Sequence, residues 1–554
     1  MFLNVVIIIS TFIVAAGQRN LNAQSLLSSD PIDVDSLTRK LHKFLPRIEA
    51  IRDIGGTAGM SIGVMYRGQK VLEHNFGNSD VEKREIPTSS TIYPLGSLTK
   101  AFVATTIAQL VHDGLLLWDE PVTSYIPELS FEADASLELT LIDLLSHQTG
   151  LARLDVLWLG AGGEVIIPKN FTVTMCNYLA PVYPLRSTWL YNNWMYALAG
   201  EVVERVTGSS LGDVLAKRVF AKLGLDQTTL LKSDIQADKV ASPYLVLDNK
   251  TLVRSPDLGM TDGILMSSAG GIRSNVRDML KWGHSILSPF REGTAALEQL
   301  DVVLSGHSFL NKTSGFDELY GLGFAKVTTP AQFGKMGFNP SFLDDGMPVI
   351  GANSRPRRVF YHNGAITGYN NCLMLVPELE AVIVVLTNSI SQGDVADWAS
   401  QAILQVVLEL DSPIDLEPIA EKAAEKWKGT HGEIAKSLEK ERIPNTREPS
   451  YHELVGRYWH TTRALAINVF EDNGDLKFNI NGQKSQMHTL THYSYDSFSL
   501  LPSADERVRR GLFHYETEAY LLHFQKDSTS QFDRLLWKIG GGSLGGEVFR
   551  KVVS

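Results

Sequence analysis

The sequence predicts an α/β protein: an antiparallel sheet flanked by helices, with a helical insert, followed by a small C-terminal β-barrel or sandwich. Three observations predict it. Strand patterns at residues 59–66 and 69–76 open the first block, and two more at 371–377 and 381–388 close it. The text between them, to about residue 290, carries helical periodicity broken by glycine-rich turns at 160–163 and 270–271. From residue 451 onward the pattern changes to short strands separated by turn signals. Strands at both ends of a block can share one sheet, with the helical insert packed beside it.

At the amino terminus, residues 5–16 (VVIIISTFIVAA) form an apolar run closed by Ala15, Ala16 and Gly17. Twelve residues are too few to cross a bilayer core, which takes about 20 as a helix. The run therefore reads as a secretory signal peptide over 1–23, cleaved after Gly17 or Ala23, although Met1 to Asn4 lack Lys and Arg; an uncleaved anchor and a simple apolar N-terminus are the alternatives. A secreted protein with no stable membrane span after signal removal is the expectation. Asn170, Asn249 and Asn311 each open an Asn-x-Thr sequon and become candidate glycan acceptors in a secreting eukaryote.

Residues 24–50 read as a leader helix, with Leu37, Leu41, Phe44, Leu45 and Ile48 near helical spacing. A hairpin over 59–76 turns at Arg67-Gly68. The run 381–388 is almost wholly apolar, as expected of a strand buried on both faces, and 395–408 reads as a helix. The block from 24 to 410 is then one catalytic unit. Residues 411–450 form a linker, in which 421–441 is a highly charged helix. Residues 451–554 form a β-rich unit with strands near 464–470, 476–480, 497–501, 520–524, 534–538 and 548–552.

Composition excludes several functions. With 44% hydrophobic and 20% charged residues the chain has an ordinary globular balance. A net charge of −11 without Lys/Arg clustering argues against nucleic-acid binding. Two cysteines, Cys176 and Cys372, with no CxxC or HExxH run, exclude a cysteine zinc site. They leave a single disulfide or two buried thiols equally open. No metal or cofactor is expected.

Three short motifs carry chemistry. Ser97-Leu-Thr-Lys100 opens a helical pattern whose apolar residues Phe102, Val103, Ile107, Leu110 and Val111 mark a buried face and which stops at Gly114. Lys100 lies three residues beyond Ser97, on the same face and within reach of its hydroxyl. A serine becomes a nucleophile when a neighbouring base takes its proton, and a buried lysine with a lowered pKa serves. Tyr191-Asn-Asn193 precedes a second amphipathic helix. Its phenol beside a lysine suits proton transfer, and Asn193 suits a hydrogen bond to a substrate carbonyl. His362-Asn-Gly364-Ala365 ends a strand whose backbone N–H and that of Ser97 form an oxyanion hole, with Gly364 admitting substrate close to the backbone. Each motif is weak alone. Ser437–Lys440, Tyr369–Asn371 and His112–Gly114 match the same spacings; the first reads as a solvated face and the last as a helix cap, and the second shows that Tyr-x-Asn spacing alone decides little.

In order and together, the three motifs resemble those of the serine β-lactamase and penicillin-binding-protein superfamily, in the branch of class C β-lactamases, family VIII esterases and fungal acyl-transferases. The stretches 141–151, 269–274 and 320–324 also match, and the resemblance spans about residues 45–410. It implies a β-lactamase/transpeptidase-like fold and an acyl-Ser97 intermediate, with Lys100 and Tyr191 sharing the base work. Asn193 then orients the substrate, and the Ser97 and Ala365 amides hold the oxyanion. His362 replaces the lysine usual in class C enzymes, which favours ester or amide substrates over strong β-lactam hydrolysis. The C-terminal unit resembles the lipocalin-like appendage of some members. The expected activity is a serine hydrolase acting on a small-molecule ester, amide or lactam. An acyl-transferase passing the acyl group to an alcohol or amine and a non-catalytic binding protein are the alternatives. Oligomeric state is left open.

Overall fold

The computed structural model describes residues 33–134, 136–291, 295–313, 317–511, 515–539 and 545–552. The leader segment 1–23 lies outside the described residues. Helix α1 (Val34–Gly55) starts where the Asp33 side chain accepts the Ser36 N–H at 2.9 Å and stops at Gly56, whose φ of 73° suits glycine. Its buried stripe, Leu37, Leu41, Ile48 and Ile51, lies against the sheet.

Among the described residues, eight strands form one antiparallel sheet. In chain order they are β1 (Gly59–Tyr66), β2 (Gln69–Gly77), β3 (Ser308–Phe309), β4 (Glu318–Tyr320), β5 (Ala325–Thr328), β6 (Arg358–Ile366), β7 (Tyr369–Val376) and β8 (Ala381–Thr387). Their spatial order is β2-β1-β8-β7-β6-β5-β4-β3. The first hairpin thus pairs with the last, Ile62 opposite Val385. β8 is buried along its whole length. Ile383 and Val385 face α1 and the helix over residues 395–407, whereas Val382, Val384 and Leu386 join the core of the helical insert. That double burial selects the β-branched run read from the sequence.

The insert carries α2 (Thr99–His112), α3 (Asp155–Leu159), α4 (Asn193–Thr207) and α5 (Val276–Ile286). Helix α2 is buried on all sides from Thr99 to Leu110, not along one face as its periodicity predicts. It is the central helix of the insert, so its Thr and Ala positions also face neighbours. Close passage of α5 over the sheet needs small residues: a Cβ at Gly63 would sit 2.4 Å from Val276, and one at Gly283 2.5 Å from Val382. α6 (Val395–Val407) is capped by Asp394, whose carboxylate accepts the Asp397 N–H at 3.0 Å.

The charged helix α7 (Glu417–Glu441) begins four residues before the predicted start, because Pro418 is tolerated in a first turn. Beyond it, among the described residues, nine strands build a nearly closed barrel: β9 (Gly456–His460), β10 (Ala466–Asp472), β11 (Asp475–Ile480), β12 (His488–Thr489), β13 (Thr491–Ser494), β14 (Ser497–Ser499), β15 (Leu521–Lys526), β16 (Phe532–Trp537) and β17 (Glu547–Lys551). The helix α8 (Ala504–Arg509) links β14 to β15. β12 and β13, consecutive in sequence, end the sheet order at opposite edges. Phe478, Phe498, Phe524, Leu535 and Trp537 are buried in this unit. Sequence reading missed β9, β12 and β13, which are short or carry polar residues.

Candidate active site

Ser97 sits in a 3-10 turn (Gly96–Leu98) that runs into α2. The turn is anchored by the Leu95 N–H on the Ile272 carbonyl at 2.8 Å. Gly96 adopts φ 58°, and a Cβ there would lie 2.7 Å from the Ala365 nitrogen. Glycine is therefore what lets the nucleophile turn lie against the end of β6.

Lys100, one turn into α2, is fully buried. Its ammonium nitrogen reaches Ser97 Oγ at 3.0 Å, Asn193 Oδ1 at 2.9 Å and the Ala269 carbonyl at 2.9 Å. Burial lowers its pKa to about 7, partly opposed by the Asp155 carboxylate. In the neutral amine, two protons go to the two oxygens that can only accept, Asn193 Oδ1 and Ala269 O. The lone pair is then left to the one partner with a proton to give, the Ser97 hydroxyl.

Tyr191 stands on the other side of Ser97, its phenol hydrogen-bonded to the serine and its ring 4.9 Å from the Lys100 nitrogen. Burial raises its pKa, so the phenol is protonated in the resting site. The arrangement suits Lys100 to act as a resting base and Tyr191 to donate rather than to share a first abstraction. Asn193 opens α4 and bridges two groups, accepting from Lys100 and donating to Asp155 Oδ1 at 3.0 Å. Asp155 also accepts from Trp158 Nε1 at 2.9 Å and pairs with Arg153 at 3.3 Å.

Two expectations for β6 change. His362 does not face the cleft. It is fully buried, its Nδ1 on the Asn363 carbonyl at 2.5 Å and its Nε2 on the Tyr320 hydroxyl at 3.0 Å. Burial, with Lys100 nearby, lowers its pKa to about 3, so it is neutral. Gly364 admits protein rather than substrate: a Cβ there would come 2.1 Å from the Leu95 carbonyl. Ala365 does line the cleft. Its neighbour Ile366 pairs with Tyr369 across the two-residue turn Thr367-Gly368. Because ladder bonds alternate in antiparallel pairs, the Ala365 N–H is directed to the outer edge of β6, the edge on which Gly96 and Ser97 lie.

The sequence motifs do not single out His147, although it lies in the matching stretch 141–151. Its carbonyl accepts the Leu190 N–H at 2.8 Å and its Nδ1 the Asn192 N–H at 3.1 Å, so one residue holds both neighbours of Tyr191. Its ring packs 4.3 Å from the Tyr191 ring, and its backbone is left-handed at φ 58°. Only the tertiary fold shows this bracket, since 43 residues of chain separate Asn192's partner from Leu190.

The cleft at Ser97 encloses 460 Å³, with walls that include Trp158, Trp189, Met260, Met336, Phe338 and Ile366. Of its two cations, Arg153 pairs with Asp155 and Lys335 with Glu318 at 2.7 Å. The Ser437–Lys440 match lies on α7 with Lys440 exposed, away from any such constellation. Asn170 and Asn249 are exposed and Asn311 half-buried. Cys176 and Cys372 are free, buried thiols.

A protein-family model described as Beta-lactamase matches residues 46–406, and one described as a domain of unknown function (DUF3471) matches 440–541. An unguisins hydrolase of Aspergillus campestris is 25% identical over 477 residues, covering 81% of this chain and 80% of that protein. A β-lactamase of Escherichia coli is 25% identical, covering 60% of this chain and 84% of that protein. The octameric penicillin-binding protein homologue from Pyrococcus abyssi superimposes with a TM-score of 0.55 at 20% identity, covering 94% of this chain and all of that one.

Proposed function

Because the chain belongs to the Beta-lactamase family and its relatives are hydrolases of that serine-dependent kind, we propose that it hydrolyses an uncharged, apolar ester or amide through an acyl-Ser97 intermediate. The observation that carries the reading is the buried Lys100 amine, with two acceptors for its protons and its lone pair left to the Ser97 hydroxyl. Ser97 Oγ attacks the carbonyl carbon as its proton passes to Lys100 Nζ. The carbonyl oxygen gathers charge between the Ser97 and Ala365 N–H groups. Tyr191 gives its phenolic proton to the leaving alcohol or amine and recovers one from Lys100. A water then enters, and the same groups run in reverse to release the acid.

The substrate class rests on the cleft. The larger part of its wall is aromatic or aliphatic, Arg153 and Lys335 in that wall are matched by carboxylates, and His362 is neutral and buried. Among the described residues that line the cleft, a substrate carboxylate finds no cation without a carboxylate partner, which disfavours penicillin-type acids. The unguisins hydrolase similarity, over four-fifths of both chains, supports hydrolysis as the reaction.

Incubation of the folded protein with a fluorophosphonate, followed by intact mass and peptide mapping, should add one adduct, on Ser97. Labelling elsewhere, or none, removes the proposal.

The His147 bracket gives a separate expectation. H147A should lower kcat by about 10–100-fold, through a mispositioned phenol, with the fold retained in thermal melts. In H147N an Oδ1 stands where Nδ1 accepts, and asparagine tolerates the left-handed backbone. That variant should recover most of the rate. Equal losses in both variants would show that the acceptor is irrelevant.

A further inference from the structure

The mechanism leaves one feature unused: the catalytic unit and the C-terminal barrel meet at a wall of the cleft. The segment carrying Trp158, Leu159 and Gly163 lines the cavity at Ser97, and Gly511 of the barrel lines it too. This segment is the continuation of α3, whose Asp155 holds Asn193. Its glycines, Gly160 to Gly163, stand out in the sequence as a turn, but their structural role is to receive the barrel.

The barrel residue Gln486 is fully buried at this junction. Its Oε1 accepts the Ala161 N–H at 2.6 Å and its Nε2 donates to Glu164 Oε1 at 3.0 Å. Around it, His488 Nε2 bonds the Ala161 carbonyl at 2.6 Å and the Tyr515 hydroxyl donates to the Gly160 carbonyl at 2.7 Å. Side chains at the glycines would collide with this arrangement: a Cβ at Gly160 or Gly162 would meet the Gln486 amide at 2.3 or 2.8 Å, and one at Gly163 the Arg510 carbonyl at 2.6 Å. The far side of the segment reaches the turn after β6, where Thr367 Oγ1 donates to the Gly163 carbonyl at 3.4 Å, two residues past Ala365. A turn with three glycines has little conformational preference of its own. Here its shape comes from barrel side chains that satisfy its backbone.

We propose that the C-terminal barrel sets the substrate range of the cleft, and that Gln486 is the specificity-determining positioning residue. It holds the Trp158–Gly163 wall at the distance that a large apolar group of the substrate fills. The inference rests on the reading of Ser97 as the acylated nucleophile. It assigns to the barrel a part in choosing the substrate, and none in the chemistry at Ser97.

The test uses the full-length chain and two esters, p-nitrophenyl acetate and p-nitrophenyl octanoate. In Q486A the ratio of kcat/KM for octanoate over acetate should fall by about tenfold or more, the scale on which apolar pockets discriminate. The acetate value itself should stay within about threefold, because the small acyl group does not reach the wall. Y515F, which removes one hydroxyl from the same clamp, should move the ratio in the same direction by less, and it serves if Q486A does not fold. An unchanged ratio in folded Q486A or Y515F, or equal losses on both esters, overturns the proposal. Fluorophosphonate labelling of the same samples separates the two readings. A wild-type protein without label at Ser97 removes the parent reading, whereas normal labelling with an unchanged ester ratio removes only this one.

Discussion

In S97A, ester turnover should fall by on the order of 10⁴-fold or more, and no acyl-protein should accumulate in intact mass spectra. The size of the effect follows from the absence of a substitute. The hydroxyl beside Ser97 belongs to Tyr191, which burial keeps protonated and which bonds to Ser97 itself, and the Lys100 amine bonds Ser97 Oγ rather than the Ser341 or Thr367 hydroxyls of the cleft wall. Residual turnover would come only from the Ala365 and residue-97 amides polarising the carbonyl for attack by water. Since Ser97 is half-buried and alanine is smaller, the melting temperature should be nearly unchanged. Turnover in S97A close to that of the unmodified protein would place the chemistry elsewhere.

K100M should lower kcat/KM by about 10³–10⁴-fold, near the upper range for loss of a general base. The two variants differ in their pH behaviour. In the unmodified protein Lys100 titrates near pH 7 because burial disfavours its charge. The base is the neutral amine, so kcat/KM should rise with pH through about 7 and level off above it. It should decline again only where the Tyr191 phenol ionises, above the ordinary tyrosine range. Methionine fills a similar volume without a proton to exchange, and the residual activity of K100M should lose the rise near pH 7. Persistence of that rise in K100M would assign the titration to another group. His362 and His147 are unsuited to it, since burial holds both well below the usual histidine range.

The Lys100 environment also has a stability consequence. The native state holds the amine neutral above about pH 7, whereas an unfolded chain keeps it protonated up to its ordinary 10.5. The unfolded state therefore binds more protons between these values, and this group's contribution to stability grows as pH rises through that window.

Much of this protein was legible from its residues. Strand runs, the apolar β8 and the turn-rich text after residue 451 identify a sheet, a helical insert and a barrel, because burial on one or both faces imposes a period on the side chains. Ser97 and Lys100 belong together because three residues along a helix bring two side chains to the same side. Their reading as a reacting pair rests on the distant Tyr191 and the end of β6 agreeing with one chemistry. What local pattern could not decide was direction and distance between far-apart segments. Whether His362 faces substrate or protein depends on Tyr320, 42 residues away. Whether Gly364 receives a ligand or the Leu95 carbonyl depends on how closely the Ser97 turn packs. The bracket by His147 and the seating of Gln486 against Ala161, 325 residues apart, are likewise long-range. Periodicity records which side of an element is buried. Only the packed fold records which neighbour buries it, and at this site that neighbour sets the proton path and the shape of the cleft.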